Sequence, residues 1–173
     1  MTEFLHRLHS QEAQGKGRDR AGSELARAHR FQRPLSFALL DIGGSEGSVA
    51  QYGQLAVETM LREVARRVLT TVRRYDSVGR WGGAGSASCC LEATLPQACA
   101  VAERIVAAVS QRRIHLCESV MDSTLSAGVI SAVQPGGVRL PDLEAAADDA
   151  LDRARRASGN RAAGGFATRR RAA

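Results

Sequence analysis

Residues 73–92 read RRYDSVGRWGGAGSASCCLE. Two short runs of strand character, 77–81 and 86–92, flank the glycine cluster Gly82-Gly83-Ala84-Gly85. Glycine tolerates the left-handed backbone that a tight hairpin requires, so this stretch predicts two antiparallel strands joined by a turn. It is not a phosphate cradle of the dinucleotide type, because a strand pattern follows the glycines where such a loop needs a helix. Upstream, Val57, Leu61, Val64, Val68 and Val72 recur at helical spacing and predict an amphipathic helix over 54–74. Arg62, Glu63, Arg66, Arg67 and Arg73 fall on its other faces in this reading. Downstream, Thr94 suits a helix cap and Pro96 a first turn, and Val101, Ile105 and Val109 form the inward stripe of a helix running to Gln111.

The same reading extends to both ends. A helix over 19–30 stops at Pro34, and LSFALLDI (35–42) is a short apolar run that predicts a buried strand. Residues 114–119 and 123–132 predict two more strands, and a last helix opens at Pro141 and runs to Ala157, with Gly159 near its end. Strands outnumber crossovers in this order, which predicts an α+β fold with a mostly antiparallel central sheet flanked by helices. The expected organisation is a flexible segment over 1–17, one domain over 18–168 and a basic tail over 169–173.

The chain has 173 residues and is 44% hydrophobic but only 4% aromatic, so its core is built from Val, Leu, Ile and Ala. No apolar run approaches the roughly 20 residues of a membrane span, and the N-terminus has no signal-peptide pattern, which predicts a cytoplasmic protein. The net charge is +6, yet residues 34–160 carry 13 arginines against 14 acids. The basic excess therefore lies at the ends, which argues against a nucleic-acid-binding face. Cys89, Cys90, Cys99 and Cys117 show no metal-ligand spacing and read as small core residues.

Several words of the sequence, taken in order, resemble the GGDEF family, the domain of diguanylate cyclases. They are ELARAHRFQRPLSFALLDI, QYGQ, LREVARRV, RWGG, AERI, TLSAGVI and ADDALDRARRASGNR, spread over 24–161. The resemblance implies a palm-like, ferredoxin-related sheet of the nucleotidyl-cyclase kind. Active members of the family condense two GTP molecules with metal ions held by carboxylates. Measured against that pattern, Asp41 matches the first acid of the strand-end D-x-D, while Gly43 stands at the second and Glu46 at the lysine that follows. Gly82-Gly83-Ala84-Gly85-Ser86 stands where the signature glycines, acids and aromatic belong, and neither Ala84 nor Gly85 has a side chain that coordinates a cation. Val49, Ala50 and Glu58 replace guanine-contacting or neighbouring positions, and of the two phosphate-binding positions Arg155 keeps its charge while Gly159 does not. These departures imply a degenerate domain that is not an enzyme and uses no Mg²⁺ or other cofactor.

What survives is the family's inhibitory-site word R-x-x-D, here Arg73-Arg74-Tyr75-Asp76, five residues before the glycine pair, together with Arg104 in AERI. In the family these positions bind cyclic di-GMP. A guanidinium fork matches the O6/N7 edge of guanine, a carboxylate accepts from the opposite edge, and a second arginine pairs with phosphate. The resemblance thus implies a cyclic di-GMP receptor that works as a homodimer or with a partner regulatory protein. The alternative is an interaction module of the same fold that binds no nucleotide and needs none of the three residues.

Overall fold

Alternation along one strand sets the layers. The computed structural model describes residues 12–43, 48–82, 86–111, 113–115, 120–132 and 138–167. In chain order its elements are α1 (Glu12–Phe31), β1 (Ser36–Gly43), α2 (Ser48–Tyr52), α3 (Gln54–Thr71), β2 (Ser77–Arg80), β3 (Ser86–Leu91), α4 (Leu95–Ser110), β4 (Ile114–His115), β5 (Val120–Met121), β6 (Thr124–Ala132), α5 (Leu140–Arg156) and β7 (Ala162–Ala167). The main sheet has the order β2-β3-β1-β6-β7, with β1 in the middle. Successive side chains of a strand point to opposite faces. Ala38 and Leu40 of β1 therefore enter a core with Met60, Val64, Ile105 and Val109 of α3 and α4. Phe37 and Leu39 enter a second core with Leu25 of α1 and Leu143, Ala147 and Leu151 of α5.

The expected α+β architecture is the one observed. β1 pairs antiparallel with β3 and β6, and β2 pairs antiparallel with β3, in the hairpin read from residues 73–92. α4 opens as its sequence suggests, with the Gln97 carbonyl oxygen accepting a hydrogen bond from the Thr94 N–H at 3.0 Å. Cys89 and Cys90 point into opposite cores, and burial pushes the Cys90 thiol up to about 12 and Cys89 higher still, so both stay protonated. Cys117 lies outside the described residues.

The structure departs from the sequence reading at four places. The chain is already helical from Glu12, inside the segment read as irregular. α3 ends at Thr71 because Asp76 closes the next four residues into a turn. The strand read over 114–119 is two residues long and pairs with β5, whereas β6 leaves that hairpin to join β1. Residues 162–167 form a strand that the sequence pattern does not announce: β7 lies parallel to β6 at the sheet edge. Its sequence, AAGGFA, is too small and glycine-rich to show a strand period. The expected tail over 169–173 lies outside the described residues.

Two contacts between elements have no side chain in the way. A Cβ at Gly128 of β6 would lie 2.3 Å from the Ala147 carbonyl oxygen and 2.4 Å from the Leu151 nitrogen, so α5 rests on the sheet backbone to backbone. A Cβ at Gly17 of α1 would lie 2.1 Å from the Arg80 carbonyl oxygen, and one at Gly79 would lie 3.0 Å from the Gly17 Cα. Arg18 continues the α1 contact, with its guanidinium 5.4 Å from the Trp81 ring centre and a bidentate pair to Glu144 of α5 at 2.9 and 3.1 Å. Gly128→Ala forces α5 off the sheet, and equilibrium urea unfolding should show a loss of about 2–3 kcal/mol.

Candidate functional site

The turn after α3 is closed twice. The Asp76 N–H donates to the Arg73 carbonyl at 3.0 Å, and the Asp76 Oδ2 accepts from the Arg73 N–H at 2.9 Å. The backbone of Arg73, Arg74, Tyr75 and Asp76 is thereby fixed by the aspartate of the motif. Arg73, Arg74 and Tyr75 are exposed, and Asp76 is half-buried. The Arg73 Nη1 donates to the Tyr75 hydroxyl at 2.9 Å. Arg104, exposed on α4, reaches across to the last residue of α3, with its Nη2 donating to the Thr71 carbonyl at 3.4 Å. The structure thus brings the three predicted residues, Arg73, Asp76 and Arg104, to one end of the α3–α4 pair. Chemically, that end offers guanidinium donors beside a carboxylate.

The helix pair is locked by a residue that the sequence reading placed on the wrong face. Arg67 sits three residues after Val64, which puts it on the inward stripe, and it is 7% exposed. Its Nη1 donates to the Val109 carbonyl at 2.9 Å and its Nη2 to the Arg113 carbonyl at 3.4 Å. These carbonyls lie at and just beyond the end of α4, where a helix leaves acceptors unpaired and favours positive charge. Glu63 neutralises the buried guanidinium, accepting from Arg67 Nε at 2.8 Å and from Arg66 at 2.7 and 2.8 Å. The Arg66 guanidinium, aided by that of Arg67 and opposed by burial, holds the Glu63 carboxyl down at about 2.

The other predicted positions lie at the far end of β1. Asp41 shares the face of Phe37 and Leu39, toward α5, and its carboxylate pairs with Arg155 at 2.9 Å. Arg155 also meets Asp152 at 3.4 Å. The sequence reading had separated Asp41 and Arg155 into different roles, although strand alternation and the packing of α5 direct them to the same layer. Gly43 stands opposite Thr124 and brings no donor. Gly82 follows β2, its carbonyl accepting from Arg80 Nε at 3.3 Å, and Ser86 begins β3 opposite Asp41. Gly83, Ala84 and Gly85, like Glu46, lie outside the described residues. Val49 and Ala50 lie in α2, and Glu58 in α3 accepts from Gln54 at 3.0 Å. Among the described residues no three His, Cys, Asp or Glu side chains are grouped to hold a metal ion. The described donors at this end, Asp41 engaged by Arg155, do not fit a pair of metal ions by themselves.

The family described as "Diguanylate cyclase, GGDEF domain" matches residues 17–161. The chain belongs to the GGDEF family. Diguanylate cyclase DgcP of Pseudomonas aeruginosa is 29% identical over 143 residues, covering 83% of this chain and 21% of that protein. The chain thus spans about a fifth of that relative's length. Diguanylate cyclase SiaD of Pseudomonas aeruginosa, solved with its activator SiaC, superposes with a TM-score of 0.79 at 26% identity, covering 89% of this chain and 58% of SiaD. The coiled coil and GGDEF domain of DgcB from Caulobacter crescentus, solved with c-di-GMP, gives a TM-score of 0.77 at 22% identity over 85% of this chain and 78% of that one.

These matches overturn the expectation that the chain is not an enzyme. The GGDEF family it joins and the relatives it matches are diguanylate cyclases, which are enzymes. The expectation rested on individual positions, and no described residue shows a loss of catalysis. The physical gap in that reasoning is that Mg²⁺ takes only one or two carboxylates and completes its shell with water and substrate phosphates. Missing acids at Gly43, Ala84 and Gly85 therefore do not define the whole donor set. As for the membrane, no described helix of this GGDEF domain is long and apolar enough to cross one.

The Glu63 cluster makes the helix pair acid-sensitive. A carboxyl held at about 2 against an ordinary 4.5 contributes stability that is full above about pH 4.5 and disappears as pH falls toward 2. Urea midpoints measured from pH 6 to pH 2 should show wild type and Glu63→Gln converging at the acid end. Parallel curves would mean that the cluster carries no such linkage.

Proposed function

We propose that this GGDEF domain is a regulatory receptor for cyclic di-GMP, bound at Arg73, Asp76 and Arg104. The observation that carries the reading is the doubly closed turn. It holds a guanidinium and a carboxylate on one rigid backbone, and a second guanidinium from α4 reaches the Thr71 carbonyl two residues before it. Guanine offers two acceptors on one edge and two donors on another, so this combination suits it. Pre-organisation also matters, since a backbone that is already fixed loses little entropy on binding. DgcB, which shares the fold, was solved with this ligand.

In this reading the ligand's second base remains free to engage a second copy of the domain or a regulatory partner. SiaD, solved with an activator protein, is a relative that does have such a partner. The receptor works in the cytoplasm.

Calorimetric titration of nucleotide-stripped protein with cyclic di-GMP tests the proposal. Micromolar affinity, about −8 kcal/mol, is expected for wild type. Arg73→Ala and Arg104→Ala should each weaken it at least tenfold. Arg73→Ala leaves the turn intact, because the closing bonds come from the Arg73 backbone. No heat from folded wild-type protein would sink the receptor reading in favour of an interaction module. GTP turnover assayed in the same preparation reports catalysis separately.

A further inference from the structure

Arg73 is exposed, yet its guanidinium is held in place from one side. Nη1 donates to the Tyr75 hydroxyl at 2.9 Å, and the guanidinium carbon lies 5.8 Å from the centre of the Tyr75 ring. The turn that ties Arg73 to Asp76 fixes the backbone between the two side chains. Tyr75 is itself 57% exposed and belongs to neither core, so burial is not what places it. A guanidinium presents two donor pairs, Nη1 with Nη2 at its end and Nε with Nη2 along its side. Tyr75 engages the first pair through Nη1. Among the described residues, Nε and Nη2 of Arg73 carry no hydrogen bond, so the second pair stays whole.

We infer that Tyr75 is a positioning residue for Arg73: it fixes the guanidinium so that the Nε–Nη2 edge is the one offered to a guanine base. The inference rests on the receptor reading given above. An exposed arginine samples many rotamers, and a ligand that freezes one such side chain loses about two- to tenfold in affinity. Tyr75 restricts Arg73 before the ligand arrives, so that loss shrinks. The ring attracts the cation through its electron-rich face, and the hydroxyl sets the rotation of the fork. The ring lies on the Nη1 side and has no part in contacting the base. Arg74, the other corner residue, cannot do the same, because its side chain has no acceptor.

A double-mutant cycle separates positioning from direct contact. Cyclic di-GMP is titrated by calorimetry into wild type, Tyr75→Phe, Arg73→Ala and the double variant, with thermal melts confirming that each is folded. Tyr75→Phe keeps the ring and removes the acceptor. It is expected to bind about two- to tenfold more weakly than wild type. In the Arg73→Ala background the same change should have no measurable effect, because positioning acts only through Arg73. A second readout needs no ligand: nitrogen-15 relaxation of the Arg73 Nε–H should show an ordered side chain in wild type and a loss of order in Tyr75→Phe. If Tyr75→Phe binds like wild type, or if Nε–H is equally mobile in both, the positioning inference is overturned and the receptor reading stands. If the penalty persists in Arg73→Ala, Tyr75 touches the ligand itself, which also overturns it. If folded wild type does not bind, the receptor reading falls and this inference with it.

Discussion

The absence of one side chain, at Gly128, governs how the layers meet. With nothing projecting from that point of β6, the backbone of α5 settles onto the sheet at Ala147 and Leu151. The small residues of α5, Ala147, Ala150 and Ala154, continue the close approach along the helix. At this depth the last turn of α5 arrives beside the end of β1, which is why Arg155 meets Asp41. The turn that follows is tied down as well: the Asn160 N–H donates to Ser126 Oγ at 3.2 Å, and its side-chain oxygen accepts from the Leu125 N–H at 3.4 Å. This directs the chain into β7 alongside β6. Interiors at crystal-like density have no spare volume to absorb a displaced helix, so one backbone contact fixes several distant ones.

The opposite layer is fixed by charge where the first is fixed by size. A buried guanidinium is costly unless its donors are used and its charge is balanced. Arg67 meets both conditions through the carbonyls at the end of α4 and through Glu63. The result is that α3 cannot slide along α4 without stranding that charge. Arg104, on α4, and the Asp76 turn, which follows α3, inherit a constant separation. The two ends of the domain thus differ in character. The turn end presents exposed arginines and an open ring, whereas the strand end closes its carboxylate internally with Arg155.

Most of the architecture was legible because periodicity reports burial directly. The alternation of LSFALLDI, the valine stripe of α3 and the glycines after Trp81 each lead to the element observed. β7 was not legible, because its alanines and glycines are neither periodic nor strongly apolar, and its partner β6 alone gives it a strand's form. Arg67 was misplaced because charge was allowed to outrank spacing, although its distance from Val64 put it inward. At the site, Arg73, Asp76 and Arg104 were legible as a word with a fixed distance to the glycines, and their convergence follows from the packing of α3 on α4. Catalytic competence was the least legible property of all, because it depends on a complete set of donors and not on single positions.

At α1 the same glycine device has a mechanical consequence. The backbone of Gly17 packs against the backbone of Arg80, and a Cβ at Gly79 would also meet Gly17. A helix turns about 100° per residue, so rolling α1 in place by one position would replace Gly17 with a neighbour whose Cβ has nowhere to go. Arg18, bound to both Trp81 and Glu144, resists the same rotation. Ser77, the first residue of the strand so gripped, follows Asp76 directly and also holds Glu24 of α1 at 3.1 Å. Torque applied to α1 therefore has no soft axis. The helix either stays seated, or it lifts as a rigid bar and takes with it the support of the strand that leaves the Asp76 turn.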